Sequence, residues 1–347
     1  MTVMNAYAAA HAGAELTPFC IERRDPGPHD VVIDIQYCGI CHTDIHMARG
    51  DFPGQVFPLV PGHEIVGKVS KVGAAVSKHR VGDAVGVGCI IDSCGACVEC
   101  RAGEEQFCDG RIVTYGRYEK DGVTTAYGGY STSITVFEDF VLSIDAALDP
   151  ASAAPLMCAG ITTYSALRHW KAGNGSTVGV VGLGGLGHLG VKLAAAMGSD
   201  VTVLSTSESK RPDAIRLGAN DFVVTRDADA LSRHAGRFDL ILNTVSAGID
   251  LDAYVRLLAR DGTLVMLGVP DRPLPVNVMQ LLQRRKAIAA SPIGGIRETQ
   301  EMLDFCARKS LGADIEVIPI ELVNDAYERV LNSDVRYRFV IDIGSMR

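Results

Sequence analysis

The stretch that most limits the fold lies between residues 176 and 204. Ser176-Thr-Val-Gly-Val-Val181 is a continuous apolar run of strand type, followed by the turn Gly182-Leu183-Gly184-Gly185-Leu186-Gly187. An apolar helical segment, Leu189 to Met197, and a second strand, Val201 to Leu204, come next. Strand, glycine turn, helix and strand in this order form a dinucleotide-binding unit. Gly182 permits the tight turn, Gly184 lets backbone approach a pyrophosphate, and Gly187 lets the helix lie close to the sheet. The helix N-terminus offers unpaired N–H groups and a positive dipole end to phosphate. Glycine turns alone are common; the flanking strands and helix carry the reading.

The end of the second strand bears on which dinucleotide binds. An acidic residue there would hold the adenosine ribose hydroxyls. This chain has Ser205-Thr206-Ser207-Glu208-Ser209-Lys210 instead. Small hydroxyls with a lysine suit a 2′-phosphate, which favours NADP(H) over NAD(H). Serines and threonines also cap helices, and Glu208 would repel phosphate if it pointed inward. Alternation continues with a strand from Phe238, a helix from Leu251 to Ala259, a turn at Arg260-Asp-Gly262 and a strand from Thr263 to Gly268. Ala287 to Ala290 leads into Ser291-Pro-Ile293.

The 347 residues are enough for two domains. The change of pattern after Asp149-Pro150 places the first boundary near residue 152, with the cofactor domain running over 153–295. Before it, Val31 to Tyr37, Glu64 to Val69, Ala84 to Val87 and Ser131 to Phe137 read as short strands without intervening long helices, a β-rich lobe. After residue 295, Glu298 to Arg308 and Leu322 to Leu331 read as helices, Ile315 to Ile320 and Tyr337 to Ile343 as strands. A net charge of −8 with no basic run disfavours nucleic acid and anionic membrane surfaces. No signal peptide or membrane span is evident. Ten cysteines without an export signal point to a reducing, cytoplasmic setting.

Four of those thiols are clustered: Cys94-Gly-Ala-Cys97-Val-Glu-Cys100, then Cys108. Four thiolates at such spacing close on one tetrahedral zinc, and a closed shell of this kind is structural. Disulfides, a redox pair and an iron–sulfur cluster fit the setting and spacing less well. A catalytic zinc needs three protein ligands and an open position. Cys41 and His63, in Cys38-Gly-Ile-Cys41-His42-Thr43-Asp44-Ile-His46 and Pro61-Gly-His63-Glu64, are two candidates, and Cys158 is the best unused third. Cys38 offers an alternative pairing, although an apolar strand end favours a core role. Cys20, Cys89 and Cys306 are expected in the core.

Together these motifs, in this order, resemble the medium-chain zinc-dependent alcohol dehydrogenases. Phe19 to His46, the run Met157-Cys158-Ala-Gly-Ile-Thr162-Thr-Tyr and the closing Tyr-Arg-Phe-Val-Ile-Asp resemble the cinnamyl-alcohol-dehydrogenase-like branch. The resemblance implies an α/β chain: a GroES-like β-rich catalytic domain, residues 1–152 and 296–347, plus a Rossmann doubly wound parallel-sheet domain. The active site would lie in the cleft between them. It assigns the catalytic zinc to Cys41, His63 and Cys158, with Glu64 an occasional ligand and Asp44 accepting a bond from the ligand imidazole. It implies a proton relay from Thr43 through the nicotinamide ribose to His46. It places Gly268, Ser291 and Ile293 near the nicotinamide, with Thr162 beneath it.

The implied activity is hydride transfer between NADP(H) and aromatic, allylic or aliphatic primary alcohols and aldehydes, with two zinc ions per chain and a homodimer or higher homo-oligomer. Phe52, Phe57, Ile91 and Ile293 are candidates for an apolar substrate wall, although an ordinary core role suits them as well. A NAD-linked polyol dehydrogenase of the same superfamily is the alternative enzyme, and a non-catalytic NADPH-binding zinc protein the alternative of another class. The Ser205–Lys210 stretch argues against the first. The intact set Cys41, Thr43, His46, His63 and Cys158 argues against the second.

Overall fold

The computed structural model describes residues 2–270 and 272–346. It divides into two compact units, Met1–Ile161 with Gly294–Arg347, and Thr162–Ile293. The divisions at Ile161/Thr162 and Ile293/Gly294 differ from the sequence-based 152/153 and 295/296. Pro150 opens a helical stretch, Pro150–Ala153 and Ala154–Met157, that still packs against the strands of the first unit. The change of pattern there coincides with the start of this helical stretch.

The second unit is built on a six-stranded parallel sheet. Its strands are Thr177–Val181, Asp200–Ser205, Asp221–Val224, Phe238–Asn243, Leu258–Met266 and Ala287–Ala290. Numbered along the chain, they lie side by side as 3-2-1-4-5-6, the Rossmann order. Val178, Val180, Val201, Val203, Ile241 and Leu242 are buried, as expected of strands covered on both faces. One local expectation fails. Arg260-Asp-Gly262 is not a separating turn but part of the strand Leu258–Met266. Asp261 takes φ +66, and the register shifts between Phe238 and Leu240 on the neighbouring strand. The turn-like residues thus mark an irregularity inside a strand.

The first unit centres on the long strand Asp30–Gly39. Val31, Ile33 and Ile35 alternate into the core. This strand pairs antiparallel with Ile65–Val72, with Ser133–Phe137 and with Arg338–Asp342. The closing strand Arg338–Asp342 also pairs parallel with Ile315–Pro319. Strand Asp30–Gly39 runs into the helix His42–Arg49, and Ile65–Val72 begins directly after His63-Glu64. Register between Cys38 and Ile65 brings those two strand ends together. Cys38 and Cys306 are core, as expected, but Cys20 is exposed and Cys89 only half-buried. Cys20 sits in a two-stranded ribbon, Thr2–Ala9 with Leu16–Arg23, one face of which meets solvent. Among the described residues, no helix is long and apolar enough to cross a membrane.

Candidate functional site

Cys41 sits immediately before the helix His42–Arg49, in extended backbone conformation. Cys158 follows the turn Ala154–Met157. Ligand atoms of Cys41, His63, Glu64 and Cys158 all lie within 4.8 Å of one another, and all four residues are buried. The Sγ atoms of Cys41 and Cys158 are 3.9 Å apart. A tetrahedral zinc with bonds of ~2.3 Å has a sulfur–sulfur edge of about 3.8 Å. His63 Nε2 and Glu64 Oε2 are buried without a hydrogen-bond partner. A buried polar atom left unpaired is costly unless something else satisfies it. Two thiols at a zinc-like spacing beside an unpartnered imidazole nitrogen therefore fit a metal ion.

Charge in the cluster is strongly redistributed. The thiol of Cys158 hydrogen-bonds Cys41 and, with the His63 charge, holds Cys41 well below the usual thiol range. The same contact pushes Cys158 up. Burial opposes a charged imidazole at His63, but Cys89, Asp44 and Cys41 outweigh it and raise its pKa well above the ordinary value. Burial lifts Glu64 to about 7 despite the opposing charge of Arg338. Arg338, on the closing strand, donates to Glu64 Oε1, and both side chains are buried.

Asp44 is the hub behind His63. It is fully buried. Its Oδ2 accepts from the Cys41 backbone N–H at 2.8 Å and from the Tyr130 hydroxyl at 3.2 Å. Its Oδ1 accepts from the Gly62 N–H at 3.1 Å and the Tyr115 hydroxyl at 2.5 Å. His63 Nδ1 stands 3.5 Å from the same oxygen, an ion-pair separation and longer than a direct hydrogen bond. The cap role and the imidazole-facing role of Asp44 coexist. Gly62 has φ +106, and a Cβ there would meet Cys38 Sγ at 2.7 Å and the Tyr130 ring at 2.8 Å. Only glycine lets the chain turn into His63 at this point.

Thr43 and His46 lie on the helix that Cys41 precedes, Thr43 exposed and His46 half-buried. His46 Nδ1 bonds Asp51 Oδ2 at 2.7 Å. Its ring packs near His42, with centroids 4.9 Å apart.

Cys94, Cys97, Cys100 and Cys108 form the second group whose ligand atoms converge within 4.8 Å. Sulfur separations of 3.9 Å for Cys94–Cys100 and 3.4 Å for Cys97–Cys100 approach a zinc–thiolate edge. Backbone N–H groups of Ala96 and Cys97 donate to Cys94 Sγ at 3.5 and 3.3 Å, lowering that thiol to about 6. The Cys100 N–H donates to Cys97 Sγ at 3.4 Å. The short helix Val98–Ala102 closes the loop, and the Glu105 carboxylate accepts from Ile296 N–H at 3.0 Å.

In the second unit the glycine turn has the expected form. Gly182 has φ +87, and a Cβ on Gly187 would meet Gly182 O at 2.1 Å, so the helix Gly187–Ala196 lies hard against the turn. A Cβ on Gly184 would face open space, where a ligand's phosphates could approach. Gly185 and Leu186 are half-buried on the same turn, and Thr162 is buried in the helix Ala159–His169. Ser205 ends the second strand, and its Oγ accepts from the Ser207 N–H at 3.3 Å. Thr206 is exposed. Ser207 Oγ meets Ser209 Oγ at 2.8 Å, and Lys210 Nζ reaches Leu183 O on the glycine turn at 2.9 Å. Glu208 does not stand alone: Arg211 grips its two oxygens at 2.5 and 3.1 Å. Gly268 is a close approach, since a Cβ there would meet Val245 O at 2.3 Å. The Ser291 N–H donates to Met266 O at 3.3 Å, and Ile293 is half-buried.

Phe57 packs into a small core cluster with Met47, Leu59 and Tyr115, and Phe52 is exposed. Ile91 faces a cavity of about 300 Å³ whose lining includes Arg24, Asp30, Glu119, Lys120 and Asp121. Ile112, Val136 and Phe137 line it as well, so charged and apolar side chains share this cavity. Sequence reading also missed Arg338, Tyr115, Tyr130 and the half-buried Cys89 beside Cys158. The one signal for Arg338 was an arginine leading the apolar run Phe339-Val-Ile341 of the closing strand.

Comparison with known proteins agrees with this geometry. Residues 27–146 match the alcohol dehydrogenase GroES-like domain, and residues 185–308 match the zinc-binding dehydrogenase family. NADP-dependent alcohol dehydrogenase C 1 of Mycolicibacterium smegmatis is 54% identical, covering 100% of both chains. Aldehyde reductase YahK of Escherichia coli is 53% identical over 98% of each. Among solved structures, a cinnamyl alcohol dehydrogenase from Sorghum bicolor has a TM-score of 0.96 at 40% identity, covering 100% of this chain and 99% of that one. The chain belongs to the zinc-binding alcohol dehydrogenase family.

Proposed function

We propose that this protein is a zinc-dependent alcohol dehydrogenase and aldehyde reductase that transfers hydride between NADP(H) and primary alcohols or aldehydes of aromatic, allylic or aliphatic kind. The observation that carries the reading is the buried meeting of Cys41, His63, Glu64 and Cys158, with His63 Nε2 and Glu64 Oε2 left unpartnered. The relatives' names support the cofactor and reaction class, as does the absence of an acid at Ser205.

Zinc supplies Lewis acidity to the substrate oxygen when bound, and the nicotinamide accepts or gives the hydride. Cys41, His63 and Cys158 would hold the catalytic ion, and Glu64 would serve as an alternative donor when Arg338 releases it. Asp44 orients the His63 imidazole. Thr43, two residues beyond Cys41, would meet the substrate hydroxyl. His46, held at Nδ1 by Asp51, would exchange its proton with solvent through Nε2. Cys94, Cys97, Cys100 and Cys108 would hold a second zinc that stiffens their loop and takes no part in the chemistry.

Gly182, Gly184, Gly185, Leu186 and Gly187 would receive the pyrophosphate. Ser205, Thr206, Ser207 and Lys210 would hold the 2′-phosphate, with Glu208 kept neutralised by Arg211. Thr162, Gly268, Ser291 and Ile293 would meet the nicotinamide half. A homodimer is supported by the open edge strand Ala287–Ala290 and by exposed Val276, Val278, Met279 and Leu282 nearby in the chain. Ten free thiols suit a reducing compartment such as the cytoplasm. Initial rates of NADPH and NADH oxidation with benzaldehyde and cinnamaldehyde test the whole reading: a rate with NADPH that disappears on zinc removal is expected.

A further inference from the structure

Tyr115 touches the His63 cluster in two ways at once. Its hydroxyl donates to Asp44 Oδ1 at 2.5 Å, the oxygen that also faces His63 Nδ1 at 3.5 Å. Its ring lies parallel to the His63 imidazole, 5° between planes and 5.6 Å between centroids. The backbone around it is pinned on both sides. Thr114 N–H donates to Cys89 O at 3.2 Å, and Gly116 N–H to Ala126 O at 3.1 Å. Gly116 takes φ +75, and a Cβ there would meet Met47 Cε at 2.5 Å. The ring itself is packed by Met47, Leu59 and Phe57.

Tyr130 makes a useful contrast. It reaches the same carboxylate, but at Oδ2, at 3.2 Å. Its side chain meets Asp44, the Gly62 turn and Tyr327, and among the described residues its ring is not stacked on His63.

We propose that Tyr115 is a positioning residue for His63: ring and hydroxyl together fix the rotation of the imidazole so that Nε2 stays turned toward Cys41 and Cys158. The inference rests on the metal reading of that cluster and adds a residue outside the ligand set. An imidazole is free to rotate about its own bond unless both a face and an edge are held. Asp44 holds the edge at a loose 3.5 Å, so the face must be held by something else. Tyr115 does this and ties the edge's carboxylate to the same side chain. Groups that orient metal-ligating histidines typically change metal affinity by ~10–100-fold when removed. Tyr115 therefore governs how long zinc stays at Cys41, His63 and Cys158, whereas the four-cysteine loop is indifferent to it.

The test is zinc release from the intact holoprotein to a chromophoric chelator, followed in time, for wild type, Tyr115→Phe, Tyr115→Leu and Tyr130→Phe. The four-cysteine site serves as an internal control in every sample. Tyr115→Phe is expected to speed one of the two release phases about 10-fold and leave the other unchanged. Tyr115→Leu should speed that phase further, and Tyr130→Phe should move it less than Tyr115→Phe. Cobalt placed at the faster site should show shifted ligand-field bands in Tyr115→Phe. Wild-type release and wild-type cobalt bands in Tyr115→Phe overturn the proposal. So does equal acceleration of both phases, which would mean general loosening. A wild-type protein releasing only one zinc would instead sink the metal reading beneath it.

Discussion

Arg338 donates to the carboxylate of Glu64 from the far end of the chain, and both side chains are sealed from solvent. The contact joins the closing strand Arg338–Asp342 to the residue that follows His63. It leaves Glu64 with one oxygen engaged and the other unpartnered beside the cysteines. Glu64 is thus held near the metal cluster with half of its bonding capacity spare.

Breaking this pair from one side should be more damaging than replacing both partners. Removing one member of a buried ion pair typically costs about 3–5 kcal/mol. Arg338→Met should lower stability in urea by that order, and adding Glu64→Gln should recover part of it. A strictly additive double mutant would contradict the coupling.

Acid sensitivity should trace partly to Glu138. Burial works to raise this carboxyl, but bonds from the backbone N–H groups of Ser77 and Lys78 and from His29 hold it down to about 2. A depressed folded pKa contributes stability that is complete above the unfolded value and fades as pH falls toward the folded one. The window therefore runs from about 4.5 downward to about 2. Glu138→Gln should melt lower than wild type at neutral pH, with the gap closing across that window. A gap independent of pH would refute the assignment.

Cofactor preference should depend on Arg211 as well as on the serines. Glu208 would present an uncompensated carboxylate next to Ser207 without the two bonds from Arg211. A like charge near a phosphate opposes binding. Arg211→Ala should weaken NADPH binding roughly 10-fold, about 1.4 kcal/mol, and leave NADH nearly unchanged. Nicotinamide fluorescence on titration into the protein measures both. Equal losses for the two nucleotides would show that Arg211 acts on the loop in general.

Cys100→Ser should remove one zinc of about two per chain and expose the Ile90–Val113 loop to protease. The N–H···S bonds around Cys94 and Cys97 are too weak to hold so small a loop without the ion. Unchanged zinc content in this variant would mean that the four thiols do not share a metal.

The parallel sheet, its glycine turn and the four-cysteine loop were legible because each depends on short-range spacing, whereas Cys158, 117 positions beyond Cys41, was suggested only as the best unused cysteine and by the family resemblance. Gly182, Gly184 and Gly187 report their backbone constraints directly, and Cys94 to Cys108 lie within one loop. What was not legible depends on long-range pairing. Arg338 meets Glu64 only because the last strand pairs with Asp30–Gly39. Tyr115 and Tyr130 meet Asp44 from a loop with no periodic pattern. Asp261-Gly262 looked like a turn because turn residues also serve strand irregularities. Phe52, Phe57, Ile91 and Ile293 stayed open between substrate wall and core because apolar residues near a site are indistinguishable from core until their neighbours are known.

The most direct test of the central claim is zinc content measured together with NADPH oxidation, for wild type and Cys158→Ser. The account predicts about two zinc per chain and a clear benzaldehyde- or cinnamaldehyde-dependent rate for wild type. For Cys158→Ser it predicts loss of that rate and of about one zinc, with the four-cysteine ion retained. A variant that keeps wild-type rate and full zinc would contradict the placement of the reaction at Cys41, His63 and Cys158.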